Sequence, residues 1–310
     1  MAEMTQSIPL RTTETAFTQR KGKPIQFYIG RVAFWILILL ILLYTLFPAY
    51  WAVATSLKTS AELNQTPPLY FPKSMDFSHY RAVFQDDNFT VALKNSVIVS
   101  ITTVLMALVI GSLAAYAIGR FRFRGKSPVM YLILSMTMFP AIAILGSLYT
   151  MLRKVGGWPV IGDVVGLNAA GGLVFAYTTF TLPFTVWVLA NFYRAMPAEL
   201  EQAAMVDGAT PFRAFIEILL PLAAPGIATT GLLAFIGAWN EYLFASTFTI
   251  TTDQRTVPVA IASFSGNTQF EIPWGNIMAA SVTVTIPLVI LVLLLQRKII
   301  SGLTAGAVKG

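Results

Sequence analysis

Residues 95–119 read NSVIVSITTVLMALVIGSLAAYAIG, a run of 25 residues that contains no charged side chain. An α-helix crosses the hydrocarbon core of a bilayer with about 20 apolar residues, so this run is long enough to span a membrane. Five further uncharged runs of comparable length lie on either side of it, each bounded by ionisable residues. They occupy residues 32–57, 127–152, 164–193, 218–240 and 272–296. The chain is therefore predicted to cross a membrane six times.

The composition of the whole chain supports a lipid environment. Hydrophobic residues make up 56% of the 310 residues and charged residues only 11%, against about 45–50% and about 25% in soluble domains. Helices are expected because backbone groups in hydrocarbon must be satisfied within their own segment, and the runs lack the alternation of a barrel strand. We predict an all-α integral membrane protein whose transmembrane domain covers residues 31–300. The predicted spans are 32–57, 95–119, 127–152, 171–193, 218–245 and 275–296.

Proline interrupts several of these spans. Such breaks are tolerated in membrane helices where neighbouring groups satisfy the freed carbonyls, and they fit either a simple kink or the lining of a pathway. The prolines concerned are Pro140, Pro183, Pro225 and Pro287.

Lysine and arginine are distributed unequally between the two sides that six spans define. The two termini and the connections near 120–126 and 194–221 share one side and carry 14 of the 21 basic residues, which leaves 7 on the other. Because basic residues concentrate on the cytoplasmic side, the N-terminal segment 1–30 and the C-terminal tail 301–310 are predicted to be cytoplasmic. This distribution also accounts for the net charge of +7, so no nucleic-acid partner is expected.

The connection 58–94 is long and rich in proline and aromatic residues, which is typical of an ordered external cap rather than a flexible tether. His79, the only histidine of the chain, lies in it. A histidine without a second histidine or a cysteine is a poor metal site, and the chain contains no cysteine. We expect His79 to be an ordinary surface residue.

The connection 194–221, RAMPAELEQAAMVDGATPFRAFIEILLP, is the most structured segment on the predicted cytoplasmic side. Glu199 and Glu201 suit the positive N-terminal end of a short helix, and Gly208 can supply the left-handed residue that ends it. Thr210 is placed to cap a second helix that leads into the fifth span.

Periodicity alone makes this segment an amphipathic hairpin, in which Leu200, Ala203 and Ala204 share one face. A DNA-binding helix-turn-helix is the other interpretation of two short helices around a glycine. It is disfavoured because the segment carries two arginines against four acidic residues, a balance that repels phosphates.

The same segment carries a family resemblance. The residues QAA at 202–204, the glycine at 208 and the I-x-L-P that ends at Pro221 have the spacing of the EAA loop, which makes the chain similar to permease subunits of binding-protein-dependent ABC importers. The flanking MPAEL, VDGAT and ILLPLAAPG resemble the carbohydrate-uptake branch of this family. Within it, the chain resembles the maltose and trehalose permeases that correspond to the smaller membrane subunit of the maltose importer. AWNEYL at 238–243 and the terminal GLTAGAVKG extend the similarity.

This resemblance implies a type I ABC importer permease fold in a prokaryotic cell membrane, with a cytoplasmic coupling helix that docks on an ATPase subunit. The residues carried over from the family pattern are Gln202, Ala203, Ala204 and Gly208, and with the neighbouring Glu199 and Asp207 they form the predicted ATPase-coupling set. Gln202 departs from the family pattern, which has glutamate there. We expect docking to persist with less dependence on salt.

The resemblance also implies partners and cofactors. No Gly-rich phosphate loop of the form GxxxxGK[ST] occurs in the chain, so ATP and Mg are expected in partner subunits rather than in this one. The expected assembly is a heterodimer with a second permease subunit, two ATPase subunits and an extracytoplasmic sugar-binding protein, in membrane lipid. The chain would move a trehalose- or maltose-like di- or oligosaccharide inward by alternating access, without being an enzyme itself.

Two alternatives remain open on the sequence. An ATPase-independent channel or ion-coupled sugar carrier would have the same six spans, and a requirement for an ATPase distinguishes it. A membrane enzyme is disfavoured, because paired carboxylates, metal-spaced histidines and an activated serine are missing.

Two further segments are candidate sugar contacts. Trp239, Asn240 and Glu241 stand in or beside the fifth span, where a carboxyl group must face protein or water; they line either the sugar path or a helix–helix contact. The external loop 251–274 is implied by the resemblance to enter the cleft of the docked binding protein. Its candidate residues are Ser265, Asn267, Gln269 and Phe270.

Overall fold

A computed structural model describes residues 25–264 and 272–307, with side-chain surroundings for 27–264 and 272–296. Every regular element within these ranges is helical. The α-helices are α1 (Ile25–Ser56), α2 (Ser60–Leu63), α3 (Ser78–Gln85), α4 (Asp87–Arg120), α5 (Lys126–Thr137), α6 (Ala141–Val155), α7 (Ile161–Val165), α8 (Ala170–Ala195), α9 (Glu199–Val206), α10 (Pro211–Ala214), α11 (Leu220–Leu222), α12 (Ala224–Trp239), α13 (Leu243–Phe248), α14 (Val257–Ala262) and α15 (Trp274–Ala307). A π-helical turn occupies Phe215–Leu219 and a 3₁₀ turn Thr252–Gln254.

Two compact units divide the chain after Tyr50. In the first, the apolar side chains of α1 up to Tyr50 are mostly exposed, as in a helix that faces lipid or another subunit. The second unit, Trp51–Gly310, contains the end of α1 and the remaining helices.

The predicted six spans agree with the architecture once two bends are included. Within the described residues, four helices, α1, α4, α8 and α15, are long and apolar enough to cross a membrane, and the number reaches six if each of two bent pairs is one span. The first pair, α5 and α6, bends by 93° at Pro140. This residue has no N–H for the helical ladder, and its ring disfavours helical backbone in the residue before it. The predicted third span, 127–152, thus contains a sharp break and is not one straight helix.

The second bend, of 75°, separates Pro211–Leu222 from α12. The π-helical turn precedes it, and Pro221 and Pro225 stand on either side. Within the predicted fifth span, 218–245, the structure has this bend, the end of α12 at Trp239 and a restart of the chain as α13.

Other helices extend further than predicted. The Asp86 carboxylate accepts a bond from the Asn88 N–H and starts α4 at Asp87, eight residues before the uncharged run. The last helix continues to Ala307, so the predicted tail 301–310 is helical over most of its length. Both extensions contain charged residues, which end the uncharged runs that located the spans, but helical hydrogen bonding continues through them.

The most extensive packing joins α4 and α8. A Cβ atom on Gly111 of α4 would lie 2.6 Å from the Thr185 side chain of α8, so glycine permits the close approach of the two backbones. The next residue of α4, Ser112, shares a hydrogen bond of 2.5 Å between its hydroxyl and that of Tyr193, further along α8. The two helices therefore end side by side, where α9 follows.

The predicted cap is ordered around a helix cap and a buried histidine. The Thr59 hydroxyl accepts from the Glu62 N–H, and the Glu62 carboxylate accepts from the Thr59 N–H in return. The imidazole of His79 lies within hydrogen-bond distance of the Lys58 carbonyl (3.0 Å) and the Asn276 side chain (2.8 Å), and is only 9% exposed. The expectation of a surface histidine is wrong, because His79 joins the cap to the start of α15.

Candidate functional site

Helix α9 has the local signals that the sequence predicted. Glu199 and Glu201 occupy its first turn, and Gly208 after its end has a positive φ of 88°. The Thr210 hydroxyl accepts a bond of 3.2 Å from the Arg213 N–H and caps α10. The predicted stop and restart of the chain are confirmed.

The inner side of α9 is fixed by a buried carboxylate. Glu201 is only 7% exposed, and its Oε1 accepts a hydrogen bond of 2.5 Å from the Tyr116 hydroxyl near the end of α4. Its Oε2 lies 3.3 Å from Nε of Arg120 in an ion pair whose side chains are both 10% exposed. A carboxylate is costly to bury alone, and here a cation and a hydroxyl compensate it.

Arg120 also holds the chain that enters α9. Its two terminal guanidinium nitrogens donate to the carbonyls of Met196 (3.1 Å) and Pro197 (3.2 Å), just after α8 ends. The guanidinium thus contacts the ends of α4 and α8 and the start of α9. A displacement of α9 must be transmitted to both long helices or must break these bonds.

An aromatic group supports this junction. The rings of Tyr116 and Phe215 lie 4.6 Å apart between centroids, and Tyr193 meets Phe215 edge-on at 5.8 Å. Phe215 begins the π-helical turn, so α9 and the entry to the bent fifth span rest on the same core. π-turns of this kind frequently occur at functional sites.

The outer side of α9 carries most of the predicted coupling residues. Ala204 is buried beside Glu201, which corrects the proposed face of Leu200, Ala203 and Ala204. The exposed residues of the predicted set are Glu199, Gln202, Ala203, Asp207 and Gly208. Four large apolar side chains nearby are also exposed: Leu200, Met205, Val206 and Phe212. An exposed apolar group of this kind, on a helix anchored on its other side by Glu201, is typical of a protein interface.

Sequence reasoning missed Tyr116 and Arg120, and it assigned Glu201 only to the helix dipole. The available signal was weak: Tyr116 and Arg120 are four residues apart and so share one helix face, at the polar end of an apolar run. Nothing in the sequence pairs that face with a residue more than eighty positions away.

Within the predicted membrane region, a cavity of about 380 Å³ lies between α8 and α12. Its aromatic lining includes Tyr177, Phe180, Phe184 and Phe244, and Glu241 supplies a carboxylate. Both Glu241 oxygens accept backbone bonds, from Phe244 (2.8 Å) and Ala245 (3.1 Å), so Glu241 caps α13. The buried Tyr177 hydroxyl lies near Glu241 but has no partner with hydrogen-bond geometry in the described part of the chain.

The three residues predicted to line the sugar path, Trp239, Asn240 and Glu241, have different surroundings in the structure. Only Glu241 lines this cavity. Trp239 is 3% exposed and its indole N–H donates to the Val284 carbonyl of α15, which is the helix–helix alternative. Asn240 is exposed and its amide donates to Ile236 one turn back. The loop candidates Ser265, Asn267, Gln269 and Phe270 lie outside the described residues.

Comparison with known proteins identifies this arrangement. Residues 107–304 match the family model of the binding-protein-dependent transport system inner membrane component. The chain belongs to this family. The match covers the span from α4 to α15, including α9 and its anchor.

Two relatives support the assignment to this family. The trehalose transport system permease protein SugB of Mycobacterium tuberculosis (strain CDC 1551 / Oshkosh) is 40% identical over 284 residues, covering 90% of this chain and 98% of the relative. The trehalose/maltose transport system permease protein MalG of Thermococcus litoralis is 41% identical over 267 residues, covering 86% and 92%. These similarities make the chain a multi-pass membrane permease.

A solved structure shares the fold. A chain of a bacterial ABC transporter involved in the import of the acidic polysaccharide alginate superimposes with a TM-score of 0.74 at 22% identity, covering 89% of this chain and 99% of that one. At this identity the likeness concerns the fold alone.

Proposed function

We propose that this chain is the membrane-spanning permease subunit of an ATP-driven, binding-protein-dependent importer of a trehalose- or maltose-like sugar. The observation that carries the proposal is the junction of Glu201, Tyr116 and Arg120. It attaches a short helix with an exposed apolar side firmly to the ends of two long helices. That is the mechanical requirement for a lever that transmits the motion of a docked subunit.

In the proposed mechanism an ATPase dimer docks on the outer side of α9, through Gln202, Ala203 and their neighbours. Closure of the dimer on ATP displaces α9, and Arg120 passes the displacement to α4 and α8. The helices reorient outward, the binding protein releases its sugar, and hydrolysis in the partner subunits resets the assembly. ATP and Mg belong to those partners, and this chain has no catalytic step.

The membrane cavity supports a sugar as the substrate class. Aromatic side chains pack against the apolar faces of sugar rings, while the Tyr177 hydroxyl and the Glu241 carboxylate suit sugar hydroxyl groups. The names of the relatives agree with this choice. The assembly would contain a second permease subunit, two ATPase subunits and a binding protein in a prokaryotic cell membrane, with both termini cytoplasmic.

Reconstitution in liposomes tests the proposal. We expect radiolabelled trehalose or maltose to enter only when the second permease, the ATPase, the binding protein and ATP are all present. Uptake by this chain alone, without ATP, would instead establish the alternative of a channel or ion-coupled carrier.

A further inference from the structure

A second cavity, of about 290 Å³, lies in the second unit beside the external cap predicted for residues 58–94. It opens to the surface and is lined by the last turns of α1, by α2 with the chain that follows it, and by the start of α15. Its lining includes the side chains Trp51, Thr55, Lys58, Glu62, Trp274 and Met278. None of these residues belongs to the proposed lever or to the aromatic cavity between α8 and α12.

Two polar groups of this cavity are poorly satisfied by the protein: the Thr55 hydroxyl has no hydrogen-bond partner among the described residues, and the Lys58 ammonium has an aromatic ring beside it rather than a carboxylate. Lys58 is only 2% exposed, and its ammonium lies 4.2 Å from the centroid of the Trp51 ring. No carboxylate lies within 4 Å of the Lys58 ammonium in residues 25–264 and 272–296. Thr55 is 6% exposed, and its hydroxyl has no hydrogen-bond partner in the same residues. Buried polar groups normally have hydrogen-bond partners, so an unpartnered hydroxyl beside a cation that has no carboxylate within 4 Å indicates a ligand at this cavity.

The third polar group of the cavity is Glu62, whose negative charge offsets the positive charge of Lys58. Its two oxygens accept backbone N–H groups of Thr59 (3.0 Å) and Lys73 (3.1 Å), and these bonds lower its pKa. Burial lowers the pKa of Lys58, and the negative charge of Glu62 opposes that shift. The lining therefore offers one cation, one anion and one hydroxyl, which favours a neutral ligand that both donates and accepts hydrogen bonds.

The apolar walls narrow the class of ligand. Trp274 is half-exposed and stands with Met278 at the start of α15. Trp51 is covered on one face by the Lys58 ammonium. A flat aromatic surface beside a donor, an acceptor and a hydroxyl matches a pyranose ring, whose apolar face stacks while its hydroxyl groups bond at the edge.

We propose that the cavity formed by Thr55, Lys58, Glu62 and Trp274 is a subsite for a neutral sugar ring, separate from the cavity between the membrane helices. The choice of a sugar as the ligand rests on the proposed function, whereas the location rests on the two poorly satisfied groups. Such a subsite would hold sugar that has left the binding protein before it enters the helix bundle.

Two variants remove the poorly satisfied groups with little change in shape. Thr55→Val removes the hydroxyl, and Lys58→Met removes the charge while keeping the stem. Lys73→Met is the matched control, because Lys73 is exposed in the same cap and bonds Glu62 only through its backbone. In the assembled transporter, we expect the first two variants to raise the sugar concentration for half-maximal uptake about three- to tenfold with an unchanged maximal rate, and the control to match wild type.

Direct binding decides the location independently of transport. Trehalose and maltose are titrated into the purified transporter without binding protein while tryptophan fluorescence is recorded, with glycerol as the solvent control. A saturable change that is lost in Trp274→Phe and weakened in Lys58→Met supports the subsite. An identical change in Trp274→Phe, no change in wild type, or phospholipid retained by wild type and lost in Lys58→Met would overturn it. If wild type transports no sugar yet shows the saturable change, the proposed function fails and the subsite stands.

Discussion

The Tyr116 hydroxyl donates a hydrogen bond of 2.5 Å to Glu201 Oε1, and this bond joins the last turn but one of α4 to the first turn of α9. Arg120 completes the attachment from the same face of α4. The lever of the proposed mechanism is thus held by side-chain chemistry in addition to the covalent chain.

Replacing Glu201 with alanine should uncouple the transporter. The change leaves the Arg120 guanidinium buried without its counter-charge, and breaking a buried pair in this way costs about 3–5 kcal/mol. We expect a lower melting temperature and loss of the ATP hydrolysis that sugar-loaded binding protein stimulates. Tyr116→Phe should have a smaller effect, about 1.5–3 kcal/mol, because it removes one bond to a charged group. Glu199→Ala, at an exposed site in the same turn, serves as the stability control.

Gly208→Ala should destabilise the turn after α9 by about 1–2 kcal/mol, because an L-residue at a φ of 88° meets its own carbonyl. Gly208→Asn should recover part of this loss, since asparagine tolerates the left-handed region. Gly146→Ala is the control, because a Cβ atom there meets nothing within 4 Å in the middle of α6. Denaturation of the three variants in detergent checks the order, and equal losses at both glycines would contradict it.

Tyr177→Phe and Tyr193→Phe should have opposite effects. The Tyr177 hydroxyl is buried without a suitable partner at the membrane cavity, so its removal should keep or raise stability while increasing the KM for sugar about three- to tenfold. The Tyr193 hydroxyl is bonded to Ser112 away from the cavity, so its removal should cost about 1 kcal/mol and leave KM unchanged. Uptake kinetics and melting curves of both variants provide the comparison.

Gln202→Glu restores the family residue on the exposed side of α9. An exposed ion pair contributes only about 0–1 kcal/mol and is screened by salt. We expect coupled transport near physiological salt to change little, with a steeper decline as salt increases. A large change in the coupling of transport to ATP hydrolysis at every salt concentration would contradict the view that docking on α9 depends mainly on shape and apolar contact.

Glu62 should make the cap sensitive to acid. Bonds from the Thr59 and Lys73 N–H groups lower the pKa of Glu62 in the folded protein. Its contribution to the free energy of unfolding is therefore complete above the pKa of the unfolded chain, about 4.3, and is lost as pH falls through the pKa of the folded protein. The melting temperature of wild type should exceed that of Glu62→Gln at pH 7, and the difference should shrink below about pH 4. If the difference in melting temperature stays constant with pH, the lower stability of Glu62→Gln results from altered packing and not from the lost charge.

The sequence predicted the parts of the fold that local chemistry determines. Long uncharged runs located the spans, while Gly208 and Thr210 marked the stop and restart around α9. The break at Pro140 was not predictable, because proline in a membrane helix is compatible with a slight kink and with a 93° turn alike. Which outcome occurs depends on neighbouring helices.

The candidate site was predicted on its outer side and missed on its inner side. The predicted coupling residues follow a local pattern, whereas the bonds from Glu201 to Tyr116 and Arg120 require the chain to bring α9 back to α4. His79 was misplaced for the same reason, because its partners Lys58 and Asn276 come from two different helix ends.

The three contacts of the Arg120 guanidinium also determine which segments of the chain can be exchanged between related permeases. A chimera that replaces residues 194–221 alone would bring a foreign carboxylate and foreign backbone carbonyls to a guanidinium selected for this junction. The smallest transplantable piece is therefore discontinuous: the segment after α8 together with Tyr116 and Arg120 from α4.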